Sequence, residues 1–142
     1  MILTLLTILI FSLNTNAQSY SVGVSYEPVF LDSFRPLQGY SIAPNLVFKI
    51  RPKKSSVDLR VSLGQVSRVS AVFNAPIPFA VVVGYAYHYT GTEYNYHALE
   101  AGFKTGFKTK QGCNIDLGVN GGFLPLIDKF YLSPSVAITK RL

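Results

Sequence analysis

The sequence predicts an all-β fold, an up-and-down antiparallel transmembrane β-barrel of about eight strands preceded by a cleaved signal peptide. Three observations carry this reading. Apolar residues recur at every second position through most of the chain after Ala17, the opposite face is built from small and charged residues, and aromatic residues gather near the strand ends of the apolar face.

Residues 2–11 form an uncharged run dominated by Leu and Ile, followed by polar residues and then Asn16-Ala17 before Gln18. The run is too short to span a bilayer as a helix and leads to a small residue, so it reads as a secretory signal cut after Ala17. Residues 1–17 are then the leader and residues 18–142 the barrel. The single cysteine, Cys113, excludes an intramolecular disulfide, so an exported domain of this size must be stabilised in another way.

The strands follow in order. Residues 19–27 set Tyr20, Val22, Val24 and Tyr26 against Ser19, Ser21, Gly23 and Ser25. After a loop over residues 28–39, residues 40–50 place Tyr40, Ile42, Leu46, Phe48 and Ile50 opposite Ser41, Ala43, Asn45 and Lys49. Arg51-Pro-Lys-Lys-Ser-Ser56 reads as a turn, and residues 57–63 alternate Val57, Leu59, Val61 and Leu63 with Asp58, Arg60 and Ser62. A bend at Gly64-Gln65 leads to residues 66–73, the least regular of the set, with Val69, Ala71 and Phe73 against Arg68, Ser70 and Val72.

Asn74-Ala-Pro-Ile-Pro78 breaks the pattern, and residues 79–89 restore it. Residues 96–108 put Leu99, Phe103 and Phe107 opposite Glu100, Lys104 and Lys108. Residues 113–123 put Ile115, Leu117 and Val119 opposite Asn114, Asp116 and Asn120. The last strand, residues 131–142, carries Leu132, Pro134, Val136, Ile138 and Leu142 on one face and Ser133, Ser135 and Thr139 on the other.

A soluble barrel hides its apolar face, whereas a membrane barrel turns it outward and keeps a polar lumen. The polar face here is rich in Ser, Gly and Ala, which suits a narrow interior. Tyr20, Tyr26, Phe73, Phe79, Tyr87, Tyr89, Phe107, Phe123 and Phe130 lie near strand ends, where two interfacial girdles belong. Closure also accounts for a chain that ends on a strand, because the last strand must pair with the first.

On this pattern the chain resembles the small outer-membrane β-barrel proteins of Gram-negative bacteria, particularly the short porin-like barrels of the Bacteroidota. That resemblance implies that the last strand carries the insertion signal, here Val136, Ile138 and Leu142, while Lys140 and the non-aromatic end depart from the usual pattern. It further implies that the terminal end faces the periplasm and that the localisation is the outer membrane. Outer-membrane lipid and the barrel-insertion machinery are the expected partners of a monomer, with no nucleic acid.

The formal net charge of +6 then divides into a strongly basic periplasmic end, a weakly acidic outer end holding Glu27, and a lumen that sums to zero. The lumen set is Asp58, Arg60, Arg68, Glu100, Lys104 and Asp116, read as a paired structural network because an unpaired ion in a narrow space is costly. Lys49 is assigned to the basic end. Phe30, Leu31, Phe34 and Leu37, apolar residues in a loop, are the expected external contact surface.

No phosphate loop, metal-spaced His/Cys set or nucleophile elbow is present, so no cofactor, metal or catalytic residue is expected. The expected function is a non-enzymatic barrel with a structural or surface-interaction role and a non-conducting lumen. The alternatives are a soluble secreted barrel that binds an apolar ligand and a lipid A-modifying outer-membrane enzyme using His88 or His97.

Overall fold

The computed structural model describes residues 17–31, 35–36, 44–52, 56–89 and 95–142. Apart from Ala17, the expected leader lies outside the described residues. Among the described residues there are ten strands: β1 Ala17–Tyr26, β2 Phe30–Leu31, β3 Arg35–Pro36, β4 Asn45–Pro52, β5 Val57–Leu63, β6 Val66–Asn74, β7 Ala80–His88, β8 Tyr96–Lys108, β9 Cys113–Leu124 and β10 Lys129–Arg141. β1 and β4 to β10 form an antiparallel eight-stranded sheet that closes where β10 pairs with β1. The irregular segment at residues 66–73 is a full strand, β6, paired along its length with β7.

The two short strands sit in the stretch read from sequence as a loop. β2 pairs with β10 at Phe30↔Leu132 and Leu31↔Tyr131, in the same register that joins β1 to β10 at Tyr26↔Val136. β1 and β2 are therefore one strand interrupted at Glu27-Pro28-Val29. Pro28 has no N–H to give to a ladder, which accounts for the break. Pairing of Phe30 with Pro36 and Leu31 with Arg35 turns β2 and β3 into a small hairpin at that rim.

The register fixes the barrel's shape. From Tyr20 the paired residues run through Ile50, Leu59, Ala71, Val83, Ala101, Gly121 and Leu132, and return to the first strand at Phe30. One circuit thus climbs ten residues along the first strand, from Tyr20 to Phe30. For eight strands about 4.8 Å apart and a rise of about 3.3 Å per residue, that stagger means a tilt of about 40° and a radius of roughly 8 Å. The interior is a space that side chains can fill. Because the stagger is even, each residue's face is preserved around the ring.

Closure demands one close approach. A Cβ on Gly23 would lie 1.9 Å from the carbonyl oxygen of Ile138 on β10, so only glycine lets the first strand meet the last at that height. Leu142 N–H extends the seam by donating to the Tyr20 carbonyl at 2.9 Å.

The polarity is inside-out. Outward side chains include Val24, Leu46, Val83, Leu99, Leu117, Val119, Val136 and Ile138, all exposed, with Leu99 79% accessible. Inward ones include Asp58, Arg60, Arg68, Glu100 and Asp116, all buried. Outward aromatics form a ring at each end, with Tyr20, Phe73, Phe79 and Phe107 near the termini and Phe30, Tyr87, Phe123 and Phe130 near the opposite rim, where the Phe123 and Phe130 rings meet at 4.8 Å. Roughly nine residues of tilted strand separate the rings, a rise of about 22 Å, close to the ~25 Å apolar band of a membrane barrel.

The apolar interior is small and lies at one end. Val29, Val66, Ala86, Ala98, Leu124 and Tyr131 form a buried cluster inside the rim opposite the termini, with Leu31, Tyr96 and Ile127 packed against it. Leu31 and Phe30 are therefore not free loop residues: pairing with β10 fixes both, and Leu31 turns toward the rim cluster. Phe34 and Leu37 lie outside the described residues.

Candidate functional site: the charged lumen

Strand parity sends alternate residues inward, and the six charged residues of the expected lumen set all point there. Two further ones join them. Glu27, counted from sequence with the outer end, is buried inside at the break between β1 and β2, because it continues the inward parity of Ser21, Gly23 and Ser25. Lys49 continues that of Asn45 and Val47 on β4, so its side chain enters the lumen and is only 13% exposed. One acid and one base are gained, and the balance of charge is kept.

The charges form two layers. Beneath the apolar rim cluster, Glu27 binds two guanidiniums: Arg60 Nη2 reaches its Oε1 at 2.5 Å, and Arg68 Nη1 meets its Oε2. Ser25 Oγ also donates to Oε1 at 2.6 Å. Arg68 Nε lies 2.8 and 3.0 Å from the two oxygens of Glu100, and its Nη2 donates to Ser133 Oγ at 2.9 Å. Glu100 in turn accepts from the Tyr131 hydroxyl at 2.5 Å. With that proton committed, Tyr131 accepts from His88 Nε2 at 3.1 Å, which places the imidazole proton on Nε2.

These residues come from the β1–β2 break and from β5, β6, β7, β8 and β10, so one connected network ties most of the wall together. Glycine makes room for it. A Cβ on Gly122 would fall 2.5 Å from the Tyr131 ring, which lies against the bare backbone of β9.

Nearer the termini the pairing is less even. Arg51 Nε and Nη2 form a fork on Asp58, both at 2.8 Å. Asp116 Oδ2 takes two ammoniums, Lys49 Nζ in close contact and Lys104 Nζ at 3.5 Å. Two cations share one carboxylate oxygen.

The two histidines lie on opposite sides of the wall. His88 is fully buried behind Tyr131. His97 is on the outer wall, where its Nδ1 contacts the Tyr85 hydroxyl and its ring lies 5.0 Å from that of Tyr87. Among the described residues, no group of three His, Cys, Asp or Glu side chains could hold a metal ion. Val136, Ile138 and Leu142, the expected insertion signal, are exposed on the outer face of β10 and at its end.

No protein-family model and no curated protein matches this sequence. Among solved structures the chain is similar to Ail, the attachment invasion locus protein of Yersinia pestis, at 14% identity and a TM-score of 0.48, over 89% of this chain and 99% of that one.

Proposed function

We propose that this protein is an integral outer-membrane β-barrel of a Gram-negative bacterium, exported by its leader, with a structural or surface-interaction role, no enzymatic activity and a lumen that does not conduct. The inverted polarity of the wall carries this reading. A barrel with Leu99, Phe103, Phe107 and Phe130 more than half exposed, and its ion pairs inside, is stable only where its surroundings are apolar.

The lumen supports the non-conducting part. An interior of roughly 8 Å radius is crossed by the Glu27, Arg60, Arg68 and Glu100 pairs and capped by Val29, Val66 and Leu124 at one rim. Its contents also speak against a soluble barrel with an apolar ligand inside, since charge fills the place such a ligand would take. A lipid A-modifying activity at His88 is disfavoured because that ring is sealed inside, and the contacts of His97 on the outer wall are to the aromatic side chains Tyr85 and Tyr87.

The finer assignment, to the Bacteroidota type with its termini in the periplasm, rests on the sequence resemblance, and the partners that follow from it are outer-membrane lipid and the insertion machinery. Fractionation combined with gel migration before and after boiling tests the whole reading. The folded protein should enter the membrane fraction and shift on boiling, and recovery as a detergent-free soluble monomer would refute it.

A further inference from the structure

The lumen opens at the terminal end into a cavity of about 520 Å³. Its lining carries five cations, Lys49, Arg51, Lys104, Lys108 and Arg141, against two carboxylates, Asp58 and Asp116. The carboxylates are already committed, Asp58 to the Arg51 fork and Asp116 to both lysines. Lys49 and Lys104 are only 13% and 10% exposed, so their shared positive charge sits in a space where water screens it poorly.

We propose that this vestibule is a binding site for a small soluble polyanion bearing phosphate or carboxylate groups. An excess of cations over carboxylates within one cavity, with Lys49 and Lys104 buried and Arg51, Lys108 and Arg141 nearer the mouth, distinguishes it from ordinary basic turns. The rim-side quartet of Glu27, Arg60, Arg68 and Glu100 is balanced two against two, whereas the vestibule has three uncompensated cations. A dianion seated at Lys49 and Lys104 would supply further negative charge to two ammoniums that share one oxygen of Asp116.

The cavity's size and direction narrow the ligand. It has room for more than one anionic group, so a molecule with two of them can span from the deep lysines to Lys108 and Arg141 at the mouth. It opens along the barrel axis to water. A lipid headgroup, held at the outer wall by its chains, would meet the rim cations without reaching Lys49 or Lys104.

The test uses the full barrel folded in a nonionic detergent, with inorganic pyrophosphate as the probe at constant ionic strength. Pyrophosphate should raise the unfolding temperature saturably, and sodium chloride at matched ionic strength should not. Lys49→Met and Lys104→Met should each weaken the midpoint concentration at least tenfold. If either variant fails to fold, the pair Lys108→Gln and Arg141→Gln, both exposed at the mouth, should weaken it several-fold in a barrel with its inner network intact. A shift equal to that of chloride, or one unchanged in the variants, overturns the proposal. Stabilisation by anionic phospholipid micelles without any by pyrophosphate would also overturn it, in favour of headgroup contact at the rim.

Discussion

The carboxylate of Glu27 closes on the guanidinium of Arg68 across the lumen, joining the break in the first strand to the first part of β6. Pro28 interrupts the ladder at the point where a buried anion is needed to hold two arginines, since Arg60 binds the same carboxylate at 2.5 Å. The local defect and the global network meet in one residue.

Glu27→Ala should therefore be among the most destabilising single changes in the barrel. It takes from buried Arg60 the carboxylate it binds and leaves Arg68 with only Glu100, and losing one member of a buried ion pair costs about 3–5 kcal/mol. Urea unfolding in detergent, followed by loss of the compact form on a gel, measures it. Glu100→Ala should fall in the same range, because Arg68 then keeps only one of its two carboxylates. A cost under about 1 kcal/mol for both would mean that the network contributes little to the fold.

Tyr131→Phe isolates the next link. It removes the proton that Glu100 accepts and the oxygen that His88 Nε2 contacts, with almost no change of volume. Leaving buried polar groups without their partner costs about 1–3 kcal/mol, read in the same unfolding experiment. Pore behaviour should not change, because the apolar rim cluster stays in place.

The seam gives a prediction about assembly. Gly23→Val puts a branched side chain where the Ile138 carbonyl oxygen stands, so β1 and β10 should fail to close, and the fast-migrating folded form should be lost. Val24→Ala, one residue along at an exposed outward position, should fold normally. Normal folding of the glycine variant would mean that the seam can open and shift register.

Much of this was legible in the sequence, and the parts that were not share a cause. Alternation gave the eight long strands because period two follows from the pleat itself. The same parity, continued one step beyond Ser25 or carried through Val47, puts Glu27 and Lys49 inside. Their neighbours Pro28 and Arg51 suggested a loop and a turn, and that local signal hid the periodic one. β2 and β3 pair over two residues each, too few for any period to show. The rim cluster was hidden for another reason. Val29, Val66 and Leu124 are apolar residues on the polar face, separate exceptions along the chain that become a core only when the barrel brings them together.

Orientation follows from where the turns lie. Lys110 sits in the exposed turn between β8 and β9 at the terminal end. With that end in the periplasm, trypsin added to intact cells should spare it and cut there only after the outer membrane is permeabilised. Cleavage in unbroken cells would reverse the proposed orientation.

The central claim is that the apolar wall faces lipid, and the absence of tryptophan from the sequence makes it directly measurable. Single tryptophans at Val83 and Leu117, outward positions midway between the aromatic rings, should emit in the blue and be strongly quenched when the barrel is folded into bilayers of lipids brominated along their acyl chains. Unquenched, red-shifted emission from both positions would place the wall in water and contradict the account.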